Sequence, residues 1–254
     1  EAIKVELHNN RIHDAKVIGS DPPSDLAVIK IDGKDLPALN LGDSDRVRVG
    51  DVALAVGNPL GIGQTVTAGI ISAKGRSTGL SDGSFEDFLQ TDAPINQGNS
   101  GGALVNTEGD LVGINSQILS TSGGSIGIGF AIPSNMARNV MDQLINGGKV
   151  RRGQLGIAIQ PVTAEQAEKL ALKESQGVLV ASVTPNSSAA RAGVRPGDVI
   201  TAFEGQPITD GNTLRNRIAS TLPGTEVKLT IVRNQSAQEI QVTLGEYELQ
   251  KRTG

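Results

Sequence analysis

Cysteine and tryptophan are absent from this 254-residue chain, and its other aromatic residues are four Phe and one Tyr. The lack of cysteine excludes disulfides, thiolate zinc sites and a cysteine nucleophile, and it fits reducing and oxidising compartments equally. So few aromatic rings leave little on which nucleic-acid bases could stack. No apolar run approaches the roughly 20 residues that a bilayer crossing needs, so we expect no membrane span.

A strongly basic region is also lacking. The formal charge is −4, with 11 basic against 17 acidic residues in 1–150 and 12 against 10 in 151–254. Neither half offers the positive surface that a phosphate backbone requires, so we expect no nucleic-acid partner. Nothing in the residue pattern calls for a metal or an organic cofactor.

Short β-prone runs separated by Gly, Pro and Asn fill residues 1–132, and they predict a sandwich or barrel. Strands rich in Gly and Ala favour a tightly curved barrel. Apolar residues then recur at helical spacing over 134–147, with Ser134 as the expected cap and Gly147-Gly148 as the stop. The runs are IKVEL, DAKVIG, LAVIKI, DVALAVGN, TVTAGIISAKG, LVGINSQIL and IGIGFAIP.

A second unit is predicted after the basic segment KVRRG. Residues 154–247 alternate five strand-like runs with two helical segments, TAEQAEKLAL and DGNTLRNRIAST, which indicates a small α+β or partly open barrel domain. We therefore expect a first domain at 1–148, a linker at 149–153, the second domain at 154–247 and a polar tail at 248–254.

The stretch INQGNSGGALVN places Ser100 between glycines. Gly and Asn both tolerate positive φ, so the segment fits an ordinary turn. It also fits a serine nucleophile, which needs a sharp turn that exposes Oγ and backbone N–H groups that can face a developing oxyanion. From this stretch alone, an ordinary turn and a serine nucleophile are about equally good interpretations.

Several motifs together resemble the HtrA (DegP/DegQ) family of trypsin-like serine endoproteases, and the resemblance covers nearly the whole chain. It implies a mainly β chain, with a trypsin-like double β-barrel that is incomplete at its N-terminus, followed by one PDZ domain. The matching segments, in order, are SDLAVIKI, VGNPLGIGQTVTAGIIS, TDAPINQGNSGGALVN, GIGFAIP and PNSSAARAGVRPGDVI.

The resemblance assigns roles to individual residues. It places the nucleophile at Ser100 and the triad aspartate at Asp25, although without its motif Asp25 fits a turn aspartate better. The backbone N–H groups of Gly98 and Ser100 would form the oxyanion hole, with Asn99 between them.

A catalytic base is not evident. The mechanism needs a histidine, and the family carries it in a TNNHV-like stretch that this sequence does not contain. His8 and His13 are interpreted as surface residues of a turn and strand. Three explanations stay open: a fragment, a deliberate truncation, or a pseudo-protease. The corresponding alternative function is a catalytically inactive protein that binds peptides.

Two loops beside Ser100 are expected to select the substrate. They contain no acidic pocket floor and several apolar residues, so we expect cleavage after Val, Ile or Ala. The predicted pocket residues are Ile95, Ile126, Ile128 and Phe130.

The segment Gly75–Asp92 resembles the family's regulatory and activation loops. Phe85, Phe88 and Leu89 could pack when it is ordered. A long polar connection explains its composition about equally well.

In the second unit, GQLGIAI resembles the carboxylate-binding loop of a PDZ domain and the strand beside it. The backbone around Leu155, Gly156 and Ile157 would hold a terminal carboxylate, and Leu214 and Ile218 would form the opposite wall.

Together, these motifs and the resemblance predict an ATP-independent endoprotease that acts on unfolded or damaged proteins. We also expect chaperone-like binding and the binding of hydrophobic C-terminal peptides. The resemblance further implies a bacterial periplasmic location and a homo-oligomer built from trimers.

Overall fold

The computed structural model describes residues 3–61, 63–79, 84–118, 124–172 and 176–248. The chain divides into two compact units, Glu1–Val150 and Arg151–Gly254. Each unit has its own core and is described by itself.

The first unit begins with an antiparallel sheet of three strands, β1 (Ile3–Glu6), β2 (Ile12–Asp21) and β3 (Leu26–Ile31). A short 3-10 helix, Pro22–Ser24, joins β2 to β3. Val17 pairs with Ile29 across these strands, and the two side chains are 56% and 42% exposed. This sheet therefore keeps apolar side chains in contact with solvent.

Six further strands close into an antiparallel barrel in the order β4-β5-β6-β9-β8-β7. The pairing of β4 with β7 completes the ring. Small side chains such as Ala53 and Ala55 are fully buried beside Ile71, Leu89 and Leu104, and they give the tight curvature expected from the sequence. The strands are β4 (Val52–Gly57), β5 (Thr65–Arg76), β6 (Phe88–Thr91), β7 (Ala103–Val105), β8 (Leu111–Ile118) and β9 (Gly129–Pro133).

Helix α1 (Ser134–Gly147) follows β9 and packs against the three-stranded sheet. Leu144, 1% exposed, lies so close to Gly19 of β2 that an added Cβ would come within 2.9 Å of it. The predicted cap was wrong: Pro133 is the N-cap, and the Ser134 hydroxyl donates to the carbonyl of Gly42 at 2.8 Å. Among the helices of the described residues, none combines the length and apolarity of a bilayer crossing.

The second unit is a sheet of order β11-β12-β13-β15-β16 with three helices around it. Its core contains Val178, Ile200, Leu214, Leu229 and Ile231. A separate pair, β10 with β17, lies beside it. The elements are β10 (Gly153–Gln154), β11 (Ile157–Pro161), α2 (Ala164–Lys169), β12 (Val178–Val183), α3 (Ser188–Ala192), β13 (Val199–Phe203), β14 (Gln206–Pro207), α4 (Gly211–Ser220), β15 (Glu226–Arg233), β16 (Ser236–Thr243) and β17 (Gly245–Glu246).

One buried ion pair fixes the interior of this unit. Asp198, 1% exposed, receives two hydrogen bonds from the Arg233 guanidinium, each 2.7 Å long. The same guanidinium donates to the carbonyl of Gly193 at 2.8 Å, and the N–H of Arg195 donates to Asp198. Loss of either charge would leave the other buried without its partner.

We expect Arg233→Met to lower the free energy of unfolding of the second unit by about 3–5 kcal/mol, because the buried Asp198 carboxylate loses its charged partner. Arg151→Met is the matched control, since Arg151 and Glu246 are 47% and 40% exposed and the solvent screens such pairs, so that they contribute little to stability. Urea denaturation followed by fluorescence of Tyr247, the single tyrosine of the chain, reports on this unit. Equal losses in both variants would contradict the prediction.

Candidate active site

Ser100 lies in the turn that leads from β6 into β7. Gly98 and Gly101 on either side have φ of +100° and +83°, values that glycine adopts without a Cβ clash. Ser100 is exposed, whereas Asn99 before it is 2% exposed. Its Oγ donates to the carbonyl of Ser116 at 2.6 Å.

The turn is held close against strand β4. A Cβ on Gly102 would come within 2.1 Å of the Val56 carbonyl oxygen, so only glycine permits this approach. The N–H of Gly101 donates to Asn115 and the N–H of Asn115 donates to Gly102, which fixes the turn to β8.

Two backbone amides at the turn are available to a ligand. The N–H groups of Gly98 and Ser100 have no hydrogen-bond acceptor within the described part of the chain, whereas that of Asn99 donates to Asn96 at 3.0 Å. Unpaired amides beside a serine hydroxyl are what a developing oxyanion requires.

Asp25 lies between the 3-10 helix and the first residue of β3, in a left-handed backbone conformation with φ of +57°. Aspartate tolerates this region better than most residues. Its carboxylate is exposed and accepts a hydrogen bond from the Ser116 hydroxyl at 3.3 Å. Ser116 therefore contacts both predicted catalytic side chains, Ser100 through its carbonyl and Asp25 through its hydroxyl.

Both histidines belong to the β1–β2 hairpin. His8 lies in its turn, and His13 in β2 forms a 2.8 Å hydrogen bond with the carbonyl of Asp32. Across the described residues, neither forms a hydrogen bond with Ser100 or Asp25. Their placement agrees with the interpretation as surface residues, and neither is assigned as the base.

The four predicted pocket residues lie in three environments. Ile95, 1% exposed, belongs to the barrel core, while Phe130 and Ile128 pack in a cluster with Phe88. Ile126 is 57% exposed. The expected preference for small aliphatic residues stays a prediction.

In the second unit, Leu155 and Gly156 lie between β10 and β11, and Gly156 has φ of +77°. Within the described ranges their N–H groups have no acceptor, while their carbonyls accept from Ala189 and Thr184. Ile157 begins β11, which pairs with β12 alone among the described strands and is thus an edge.

The predicted opposite wall is helix α4, capped by Asp210 through the N–H of Thr213. Leu214 and Ile218 are 1% and 8% exposed and belong to the core. Gly211, at the start of the helix, lies against Ile159 of the edge strand. The helix thus borders β11 at its first turn, but its two predicted contact residues point into the core.

Comparison with known proteins decides the family. Residues 1–114 match the family described as trypsin-like peptidase domain, and residues 153–244 match the PDZ domain family. The chain is 51% identical over 245 residues to the periplasmic pH-dependent serine endoprotease DegQ of Escherichia coli, covering 96% of this chain and 54% of that protein. It is 49% identical over 243 residues to the periplasmic serine endoprotease DegP of Salmonella typhimurium, covering 95% and 51%. The solved structure of the HtrA-type protease AlgW with tripeptide is 49% identical, with a TM-score of 0.82, and the match covers 99% of this chain and 83% of that one.

The chain belongs to the HtrA family of serine endoproteases. The predicted fold class is confirmed, since a mainly β chain carries a trypsin-like peptidase domain followed by a PDZ domain. This HtrA-family chain spans about half the length of the curated relatives it matches.

Ser116, which joins Ser100 to Asp25, was not predicted from the sequence. Its signal was the polar triplet Asn-Ser-Gln within the apolar strand GINSQIL, because polar groups in a buried strand need partners. Glu86, a carboxylate flanked by aromatic residues in FEDF that is only 7% exposed, was not predicted either.

We expect Gly102→Ala to destabilise the first unit by about 3 kcal/mol and to displace the Ser100 turn, because the new methyl group overlaps the Val56 carbonyl. Gly147→Ala is the control, since a Cβ there meets nothing within 4 Å. Calorimetry gives the stability, and hydrogen exchange of residues 96–106 reports on the turn. Unchanged exchange in Gly102→Ala would show that the close approach is not required.

Proposed function

We propose that this chain is the serine- and aspartate-bearing part of an endoprotease that forms an acyl-enzyme on Ser100. The observation that carries the proposal is the convergence of Ser100 and Asp25 on Ser116, beside two amides that have no acceptor among the described residues. The names of the relatives, which are serine endoproteases, support it.

In this mechanism the Ser100 hydroxyl attacks the substrate carbonyl while a base removes its proton, and the base then gives that proton to the leaving amine as the peptide C–N bond breaks and the acyl-enzyme forms. The N–H groups of Gly98 and Ser100 stabilise the oxyanion, and Asp25 orients the base and stabilises its charged form. Neither His8 nor His13 is placed to serve, so the proposal requires a histidine from a part of the full-length protein outside these 254 residues.

The proposed substrates are unfolded or damaged proteins, cleaved without ATP after Val, Ile or Ala. The apolar residues around the Ser100 turn support the last point, although only part of that set is exposed. Chaperone-like binding of unfolded chains is proposed as a second consequence of the same surfaces.

The second unit is proposed to bind the carboxyl termini of hydrophobic peptides. A peptide would add as a strand to the free edge of β11, and its carboxylate would accept hydrogen bonds from Leu155 and Gly156. The amides of these two residues find no acceptor in the part of the chain that the structure describes, which supports this assignment.

We propose the domain limits 1–148 for the protease domain and 154–247 for the PDZ domain, joined by 149–153 and followed by a tail at 248–254. A periplasmic location is proposed from the names of the relatives. Assembly into trimers or their multiples is proposed from family membership.

In the full-length protein, we expect a fluorophosphonate to label Ser100 and the label to be lost in Ser100→Ala. Asp25→Asn should lower kcat by about four orders of magnitude, because the base is then held in the wrong tautomer. Ser236→Ala, which removes an exposed serine of β16, is the matched control and should be labelled normally.

Absence of labelling in the unaltered full-length protein would contradict the protease proposal. Retained peptide binding in that case would favour the alternative, a catalytically inactive peptide-binding protein. Digestion of reduced casein provides a second readout of the same distinction.

We expect a fluorescent peptide with a free C-terminal valine to bind the second unit about tenfold or more tightly than its C-terminal amide. The amide lacks the charge that strengthens hydrogen bonds from Leu155 and Gly156: a hydrogen bond to a charged group contributes about 1.5–3 kcal/mol, and one between neutral groups about 0.5–1.5 kcal/mol. Fluorescence anisotropy measures both affinities. Equal affinities would show that the carboxylate is not recognised.

A further inference from the structure

Glu86 is a buried carboxylate in the first unit, 7% exposed. It accepts hydrogen bonds from the hydroxyls of Ser77 at 3.0 Å and Ser84 at 3.2 Å, and from the N–H of Gly79 at 3.3 Å. Thr78 donates to it through both its N–H, at 2.5 Å, and its hydroxyl, at 3.0 Å. These donors are neutral groups drawn from both sides of residues 80–83, so the carboxylate organises the chain around itself.

The charge of Glu86 persists at neutral pH. Burial by itself raises the pKa of its carboxyl, but the hydrogen bonds from Thr78, Ser77 and Gly79 outweigh burial and hold the pKa below its usual value. Because the folded-state pKa is lowered, the stabilisation is present above the ordinary carboxyl pKa and is lost only as pH falls through the lowered value. Around neutrality the carboxylate acts as a constant acceptor.

One hydrogen-bond path leads from Glu86 to the strand that contacts the nucleophile. The Thr78 hydroxyl, which donates to Glu86, accepts from the side-chain amide of Gln117 at 3.3 Å. Gln117 directly follows Ser116 in β8, at an irregularity where the register with β9 shifts between Asn115 and Gln117. A bulge changes the direction of the backbone and side-chain groups around it. The contacts of Gln117 therefore determine where the Ser116 carbonyl and hydroxyl point.

A second path leads to the aspartate. The N–H of Phe85 donates to the carbonyl of Pro23 at 2.8 Å, within the 3-10 helix that ends just before Asp25. On the other side of Asp25, Leu26 packs against the cluster that contains Phe88. Phe85, next to Glu86, is therefore hydrogen-bonded to the helix before Asp25, and Leu26 after Asp25 packs against the cluster to which Phe88 belongs.

We propose that Glu86 is a positioning residue that fixes Ser100 and Asp25 relative to one another, through Thr78 and Gln117 on one side and through Phe85 on the other. Glu86 does not touch the reacting atoms. The effect of Glu86 on catalysis rests on the proposed protease function. Its effect on the geometry of Ser116 does not depend on that function.

The Thr78 hydroxyl permits a test that leaves the buried charge in place. In the full-length protein, Thr78→Val removes the hydroxyl but keeps the shape of the side chain and its backbone N–H, while Thr78→Ser restores the hydroxyl. We expect Thr78→Val to slow fluorophosphonate labelling of Ser100 about tenfold or more, because small misplacements of catalytic groups cost rate steeply. Thr78→Ser should recover most of the rate.

Glu86→Gln tests the carboxylate itself. The glutamine side chain replaces one acceptor oxygen by an NH2 group, which would face the hydroxyl and N–H donors that now bond to Glu86. We expect it to slow labelling at least as much as Thr78→Val does. Glu108→Gln, at an exposed glutamate in the β7–β8 turn, is the matched control and should label normally. Should Glu86→Gln fail to fold, the two Thr78 variants decide the matter.

Hydrogen exchange of residues 111–118 provides a readout that needs no activity, and we expect it to accelerate in Thr78→Val and not in Thr78→Ser. Acceleration in a full-length protein that is not labelled at all would support the positioning role and refute the protease proposal. A labelled protein in which Thr78→Val lowers thermal stability, yet changes neither labelling nor exchange, would overturn the positioning role.

Discussion

The candidate active site depends on one residue that forms two hydrogen bonds in different directions. The Ser116 carbonyl accepts from Ser100 at 2.6 Å, and the Ser116 hydroxyl donates to Asp25 at 3.3 Å. Ser100 is delivered by the closed barrel and Asp25 by the separate three-stranded sheet. Strand β8 is thus the element on which the two parts of the first unit meet, and the placement of Ser116 determines how far apart their functional groups lie.

Close backbone approach is the constraint that makes this placement possible. A Cβ on Gly57 would come within 2.4 Å of the Asn99 side chain, and one on Gly102 within 2.1 Å of Val56. The Asn99 and Asn115 side chains fill the space between the turn and the strands, and the Asn115 amide donates to Val56 and Ala103. Small residues and buried amides therefore replace the apolar packing that holds the rest of the barrel.

Periodicity in the sequence predicted the elements that repeat regularly. The helix over 134–147, the long strands and the change of architecture near residue 150 follow from apolar spacing and turn residues, which report burial directly. Strand β6 was missed because it has only 4 residues, and α3 was missed because it has 5. Such elements are stabilised by tertiary contacts that a local pattern does not contain.

The site was predictable only where a motif carried it. The predictions for Ser100 and Asp25 came from family motifs, whereas Ser116 meets Asp25, which lies 91 residues before it. The Ser134 prediction failed for the same reason, since its hydroxyl meets Gly42 rather than its own helix. A polar residue in an apolar setting signals that a partner exists, but the fold decides which one.

The interior beneath the nucleophile is not fully satisfied. The side-chain oxygens of Asn99 and Asn115 are buried without a hydrogen-bond partner among the described residues, and each such group costs about 1–3 kcal/mol. Asp25 adds a left-handed backbone conformation nearby. These costs fall on the turn and the bulge rather than on the barrel core, so small changes in neighbouring contacts can shift the site without unfolding the barrel. A buried acceptor such as Glu86, whose hydrogen bonds hold its pKa below the usual value, opposes that freedom, because moving it would leave several hydrogen-bond donors unpaired at once.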